Sequence, residues 1–152
     1  MVMQTNHTGD YKAMALLTWA LIIGIVLFCG VSIALHYSGS ISNNLQEYSQ
    51  IGFLIALIAT LVIIVATRAI YVKRVSVLKE TNQSSKEKLE IFRSITITHM
   101  ALCEFPALFA IICFMVFGNF LFFVVVAIAL AEMIMKFPTQ HKIESVIHSG
   151  TF

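Results

Sequence analysis

Long apolar runs alternate with short polar segments along this chain, and the lengths of the runs predict membrane-spanning helices. The first, Ala13–Leu35, carries no charge over 23 residues. At about 1.5 Å per residue, that crosses a hydrocarbon core of about 30 Å. It is too long for the apolar part of a signal peptide, and no small-x-small cleavage site follows it. Cys29 is preceded by Leu27 and Phe28, which are not the small residues of a lipoprotein cleavage site. A second apolar run begins at Ser49, after a segment rich in Ser, Asn and Gly, and reaches the region of Ile70 and Tyr71.

The third helix has a legible start. Ser84-Ser-Lys-Glu87 fits a capping box, with a hydroxyl and a carboxylate three residues apart serving the first backbone amides. From there the pattern runs without an obvious stop to Phe117. The apolar stretch that follows allows two readings. Phe105–Ala131 is one long tilted span with Glu104 and Glu132 at opposite interfaces, or the chain bends at Gly118-Asn119 and forms two spans. Gly and Asn are the residues that best end a helix in left-handed geometry. The fold-back also places Ile95–Cys103 in the bilayer, where a single span leaves them in water, so the reading adopted is four spans. The predicted architecture is an all-α, polytopic membrane protein, a four-transmembrane-helix bundle forming a single membrane domain over residues 1–152. Its spans cover about 13–36, 49–71, 95–117 and 120–137. The connection over residues 72–94 extends two of the helices as a cytoplasmic hairpin with Thr81-Asn82-Gln83 as its turn.

Charge gives this bundle an orientation. Seven of the ten Lys and Arg lie between Arg68 and Arg93, whereas the Ser/Asn-rich loop before Ser49 has Glu47 as its only charge. The positive-inside rule puts the basic connection in the cytoplasm. The N and C termini then also face the cytoplasm, with Lys136, His141 and Lys142 returning to that side. The localisation expected is the cytoplasmic (inner) membrane, multi-pass. Tyr37 and Tyr48 suit the outer interface, and Tyr11 and Trp19 the inner end of the first span. The basic segment reads as a topology determinant, with anionic lipid or an acidic partner as the sharper alternative.

Composition agrees with a membrane domain: 59% of residues are hydrophobic, 12% are charged, and mean hydropathy is +0.88. Soluble domains average about 25% charged residues. Cys29, Cys103 and Cys113 all lie in apolar runs without ligand spacing and read as small buried residues. No phosphate loop, zinc motif or nucleophile elbow is present, so neither an enzyme nor a cofactor or metal is expected. Asn6-His-Thr8 and Asn82-Gln-Ser84 match the glycosylation sequon, a short pattern that arises often by chance. The partners expected are the lipid bilayer and a homo-oligomer or larger membrane complex, with no nucleic acid. Ala20-x-x-x-Gly24 and Gly52-x-x-x-Ala56 permit close helix approach, and the Phe-rich fourth span, Phe120–Phe123 followed by Val124-Val-Val126, reads as lipid-facing.

Chemistry concentrates around Glu104, a carboxylate within Ile95–Phe117. Acids at membrane depth are costly and mark functional sites by default. With a bend at Gly118-Asn119, Glu104 and Glu132 both lie roughly 20 Å from the external turn, level with each other. An acid in apolar surroundings favours its neutral form unless a cation is near. Pro106 removes a backbone donor and frees the Leu102 carbonyl beside it, which predicts a kink. Arg68, near the inner end of the second span, is the neighbouring cation. Lys136 follows Glu132 by four residues, which predicts a local Glu132–Lys136 ion pair. His99 is about 140° around the helix from Glu104, and reads as a hydrogen-bonding residue to a neighbouring helix or as a proton relay.

The run Ala101-Leu-Cys-Glu-Phe-Pro-Ala-Leu-Phe109, ending in Phe117-Gly-Asn119, resembles the carboxylate-bearing helix of the rotor proteolipid, subunit c, of rotary ATP synthases. The resemblance implies that Glu104 is an ion-carrying carboxylate, protonated and deprotonated in turn. It covers Ala101–Asn119 alone. Gly52 stands where that family has a Gly repeat, a long Lys-rich connection replaces its short polar loop, and two further spans flank the hairpin. What is implied is a proteolipid-like protein in which Glu104 binds a proton, supported by Pro106, His99, Glu132, Arg68 and Lys136. The same run is similar to small bacterial membrane proteins with a Glu-Gly-Pro-Ala-Leu-Phe-like segment, which implies no activity. The alternative is a structural or accessory membrane protein in which Glu104 hydrogen-bonds between helices.

Overall fold

The structure is a computed structural model that describes residues 7–39, 45–81, 83–139, 143 and 145. Asn6, Asn82, His141 and Lys142 lie outside the described residues, and with them the two sequons' asparagines and part of the expected cytoplasmic basic cluster. Among the described residues the structure is helical, with four continuous α-helices: α1 (His7–Tyr37), α2 (Ser49–Glu80), α3 (Ser85–Phe117) and α4 (Phe122–Met135). A single 3-10 turn, Gln46–Tyr48, leads into α2. Three helices are long and apolar enough to cross a membrane, and their cores are Tyr11–Tyr37, Ser49–Glu80 and Lys86–Phe117. Helix α4 has 14 residues, about 21 Å, shorter than the hydrocarbon core.

Local chemistry explains where the helices begin and end. The Ser84 hydroxyl accepts from the Glu87 amide at 3.4 Å, and the Ser84 amide donates to the Glu87 carboxylate at 3.1 Å. This capping box starts α3 and contributes about 1 kcal/mol. Helix α3 runs unbroken through Pro106 and stops at Phe117. Gly118 there adopts φ 66°, and its amide donates to the Phe114 carbonyl at 2.7 Å. A side chain at that φ is strained, and glycine is not. Asn119 completes the turn: its Oδ1 accepts from the Leu121 amide at 3.0 Å, and its Nδ2 reaches Ser49 Oγ at 3.4 Å. The α3–α4 turn and the start of α2 therefore sit at one end of the bundle. The expected fourth helix over 120–137 is trimmed at both ends. Phe120 and Leu121 belong to the turn, and Pro138 disfavours helical geometry at Phe137.

Helix α3 is the centre of the bundle, packing against α1, α2 and α4. Its buried stripe is Met100, Cys103, Ala107, Ala110, Ile111 and Phe114, at helical spacing, and its small members allow close approach. Helix α4 answers with Phe122, Val125, Val126, Ala129 and Met133. Gly52 and Ala56 of α2 face inward: Ala56 is fully buried, and a Cβ on Gly52 would lie 3.0 Å from the Phe117 ring. The Ala20/Gly24 pair is exposed instead, with open space around Gly24.

The lipid-facing expectation for Phe120–Val126 is corrected at the buried Val125 and Val126 and at the Phe122 ring. That ring is fully buried, stacked on Phe117 at 5.7 Å and edge-on to Phe53 at 6.0 Å. Phe123 packs on Phe114 at 4.6 Å, so of Phe120–Phe123 only Phe120 and Leu121 are exposed. Phe122 opens α4, and at about 100° per residue it shares the inward face with Val125 and Val126.

A second, smaller apolar cluster gathers Met14, Leu78, Leu89, Phe92, Ile95 and Ile143 at the opposite end of the bundle. Buried hydroxyls are satisfied by their own helices: Thr18 donates to the Met14 carbonyl at 3.0 Å, Ser32 to Cys29 at 2.8 Å and Thr96 to Phe92 at 2.9 Å. Thr67 donates to Ile63 in the same manner. Thr96 also meets the Tyr71 side chain of α2, so back-bonding is not its whole role.

Candidate functional site

Three of the helices each bring one chemistry-bearing side chain to the boundary between the two apolar clusters. On α2 the inward stripe is Ala56, Thr60, Ile64 and Thr67, and Arg68 follows at its edge. On α3, Phe92, Thr96, His99 and Cys103 form one buried row. On α4, Val125, Ala129 and Glu132 do the same. These periodicities point His99 and Glu132 into the bundle and leave Arg68 beside them, partly open.

The three side chains converge. The Arg68 Nε donates to Glu132 Oε1 at 3.1 Å, and Nη2 donates to Oε2 at 2.8 Å. This is the bidentate fork in which guanidinium and carboxylate match best. Glu132 is 5% exposed and Arg68 46%, so the acid is sequestered while the base keeps a route outward. His99 is 2% exposed and holds Nε2 3.9 Å from Glu132 Oε1, too long for a hydrogen bond. The same nitrogen lies 3.8 Å from Cys103 Sγ. The other ring nitrogen, Nδ1, makes no hydrogen bond among the described residues, although the Thr67 backbone passes close to the ring.

Aromatic contacts extend this layer. Tyr71, one turn beyond Arg68, lies over His99 with ring centroids 4.9 Å apart. Lys136 places Nζ 5.5 Å from the centroid of that same Tyr71 ring, within cation–π range. Lys136, Tyr71, His99, Glu132 and Arg68 thus form one chain of contacts across α4, α2 and α3.

Two expectations change here. The local Glu132–Lys136 pair does not form: Arg68 takes both carboxylate oxygens, and Lys136 turns to Tyr71. A planar fork offers Glu132 two charge-assisted bonds where an ammonium offers one point charge. Arg68 is likewise engaged with Glu132 and not with Glu104.

Glu104 stands apart from the cluster. Its side chain is half-buried, and among the described residues it makes no hydrogen bond or ion pair. Exposed neighbours flank it, including Ala101, Phe105 and Phe109, and the last two rings stack at 6.5 Å on the outer face of α3. Its same-face neighbours Met100 and Ala107 are fully buried, and Cys103 and Pro106 are buried beside them, so the acid sits at the edge of the buried stripe of α3. The expected equality of depth between Glu104 and Glu132 is also displaced, because the residue of α3 that faces Glu132 is His99, more than one turn nearer the start of α3.

Tyr71 and Cys103 were absent from the expected site. Counting finds most of it: Arg68 is 19 residues after Ser49, and His99 is 19 before Gly118. Both are therefore about 28 Å from the end of the bundle where Asn119 meets Ser49. Among the described residues no group of three or more His, Cys, Asp and Glu is placed to hold a metal ion. Comparison with protein-family models, with curated proteins and with solved structures finds no match to this chain.

Proposed function

We propose that this is a four-span protein of the cytoplasmic membrane, with both termini inside, that binds a proton at Glu104 and works within an oligomer or larger membrane complex. The observation that carries this reading is the contrast between its two acids in apolar helices. Glu132 is neutralised internally by Arg68, whereas Glu104 is unpaired among the described residues and half-buried at the edge of the buried face of α3, beside exposed apolar side chains. A carboxylate at membrane depth is costly, and a nearby cation or water offsets that cost. A partner helix can bring one to that face. The resemblance of Ala101–Asn119 to the proteolipid helix points to the same residue. Glu132, Arg68, His99 and Lys136 then serve as the internal brace that fixes α2, α3 and α4 around it, with Pro106 packing behind the acid.

A hydrophobic carbodiimide tests the chemistry, since it modifies protonated carboxyls in apolar surroundings. Glu104 is expected to be labelled, less so as pH rises, and Glu132 to be spared because its oxygens are held by Arg68. Glu104→Gln should abolish the labelling. Absence of any pH-dependent modification at Glu104 would remove the proposal.

Topology has its own test. Single cysteines at Asn119 and Ser149, in a background lacking Cys29, Cys103 and Cys113, are expected to react with an impermeant maleimide from outside and from inside, respectively. Protection of Asn119 together with external labelling of Ser149 would reverse the assignment.

A second reading has one observation in its favour. The bidentate Arg68–Glu132 pair is what a purely structural or accessory membrane protein would use to lock helix order. A Glu104→Gln protein that keeps both its assembly state and its cellular role would decide for that alternative.

A further inference from the structure

We propose that the open groove between the end of α2 and the start of α3 binds an anionic phospholipid, with Lys73 and Arg74 on its phosphate and Ile70 and Ile95 against the start of its acyl chains. The groove has a volume of about 620 Å³, in the range of sites that accept small ligands. Its walls are mostly apolar, yet Lys73 and Arg74 line it together, and no acidic residue does. Among the described residues neither of these cations makes an ion pair with the protein. Exposed apolar side chains accompany the unpaired charge: Ile70 is 50% exposed and Val77 56%. An apolar wall with unpaired cations at its rim complements an amphiphile with an anionic head.

Depth supports the same occupant. Ile70 lies 21 residues beyond Ser49, about 32 Å along α2, where a hydrocarbon core of about 30 Å ends. Lys73 and Arg74 come about one turn later, level with the headgroups. Ser94 of α3 supplies a hydroxyl on the facing wall. The inner leaflet is the anionic one, and each basic residue near its surface contributes about 1 kcal/mol of attraction. The groove differs from a diffuse polybasic patch in that two cations share one concave surface, while Lys79 and Lys86 stand outside it. The inference does not depend on Glu104, but it rests on the proposed orientation, which puts this end of the bundle at the inner leaflet.

The test uses the full chain reconstituted in phosphatidylcholine bilayers containing trace spin-labelled phosphatidylglycerol or spin-labelled phosphatidylcholine. The motionally restricted fraction reports binding. A preference for phosphatidylglycerol of about thirtyfold is expected, as two basic residues at about 1 kcal/mol each imply. Lys73→Gln with Arg74→Gln should bring it to parity. Ser94→Trp, which fills the groove without changing its charge, should do so too. Lys79→Gln with Lys86→Gln should leave the preference unchanged. The proposal is overturned if the parent shows no preference, if Ser94→Trp retains it, or if the Lys79/Lys86 variant loses as much as the groove variant. That last outcome would mean long-range attraction by the whole basic segment.

Discussion

Arg68→Ala is expected to destabilise the bundle by about 3–5 kcal/mol, the range for removing one partner of a buried ion pair. The cost arises at Glu132, which is 5% exposed and, among the described residues, has no second cation within bonding distance. Its nearest alternative, the His99 ring, is 3.9 Å away. A buried carboxylate left alone sheds its charge by taking up a proton, and two helices lose their strongest polar tie. Glu132→Ala should cost less, about 1–2 kcal/mol, because the freed guanidinium sits on a long, partly exposed side chain and can reach the headgroups. The double variant Arg68→Leu/Glu132→Leu should return to within about 1 kcal/mol of the parent, since the desolvation cost vanishes with the charges. Unfolding in bicelles, read for all three variants, gives the ranking. Equal losses for the two single variants would show that the asymmetry in burial has no energetic consequence.

The second large effect is expected at Phe114. This ring is fully buried one turn before the α3–α4 bend, with centroids 4.6 Å from Phe123, 5.1 Å from Phe120 and 5.3 Å from His36 of α1. It ties the bend to the first helix. In a soluble core, Phe→Ala costs about 3–5 kcal/mol, part of which is lost transfer from water. Within a bilayer that part is absent, because the separated helix keeps the residue in lipid. What remains is the cavity: about 100 Å³ at roughly 24 cal/mol per Å³ gives about 2 kcal/mol. Phe120→Ala is the control, since Phe120 is 47% exposed and should lose under about 1 kcal/mol by the same reasoning. If the two variants unfold alike in bicelles, the aromatic cluster at the bend is not what holds it.

The legible features of this chain are those written within one helix turn or one helix length. Ser84 and Glu87 cap α3 because hydroxyl and carboxylate stand three residues apart. Gly118 ends it because only glycine takes φ 66° without strain. Long uncharged runs give three helices of membrane-crossing length. The candidate residues were also legible one at a time, since each interrupts an apolar run. Their partners were not. Lys136 is four residues from Glu132 and was the obvious mate in sequence, yet Arg68, 64 residues away, holds both oxygens. The Phe120–Phe123 run likewise reads as uniform until packing singles out Phe122.

Sequence alone therefore determined that the chain is helical, that it suits a membrane, where α3 starts and stops, and which ionisable residues lie among apolar ones. These follow from hydrogen bonding, backbone sterics and hydropathy, all local in range. Tertiary structure alone decided which acid is neutralised and which is left open. That choice depends on which helices are neighbours and how each is rotated about its axis. Rotation is set by the packing of small residues such as Ala107 and Ala110 against α4, and of Gly52 and Ala56 against α3 and Phe117. It turns Glu132 toward Arg68 and His99, and leaves Glu104 half-buried at the edge of the buried stripe of α3.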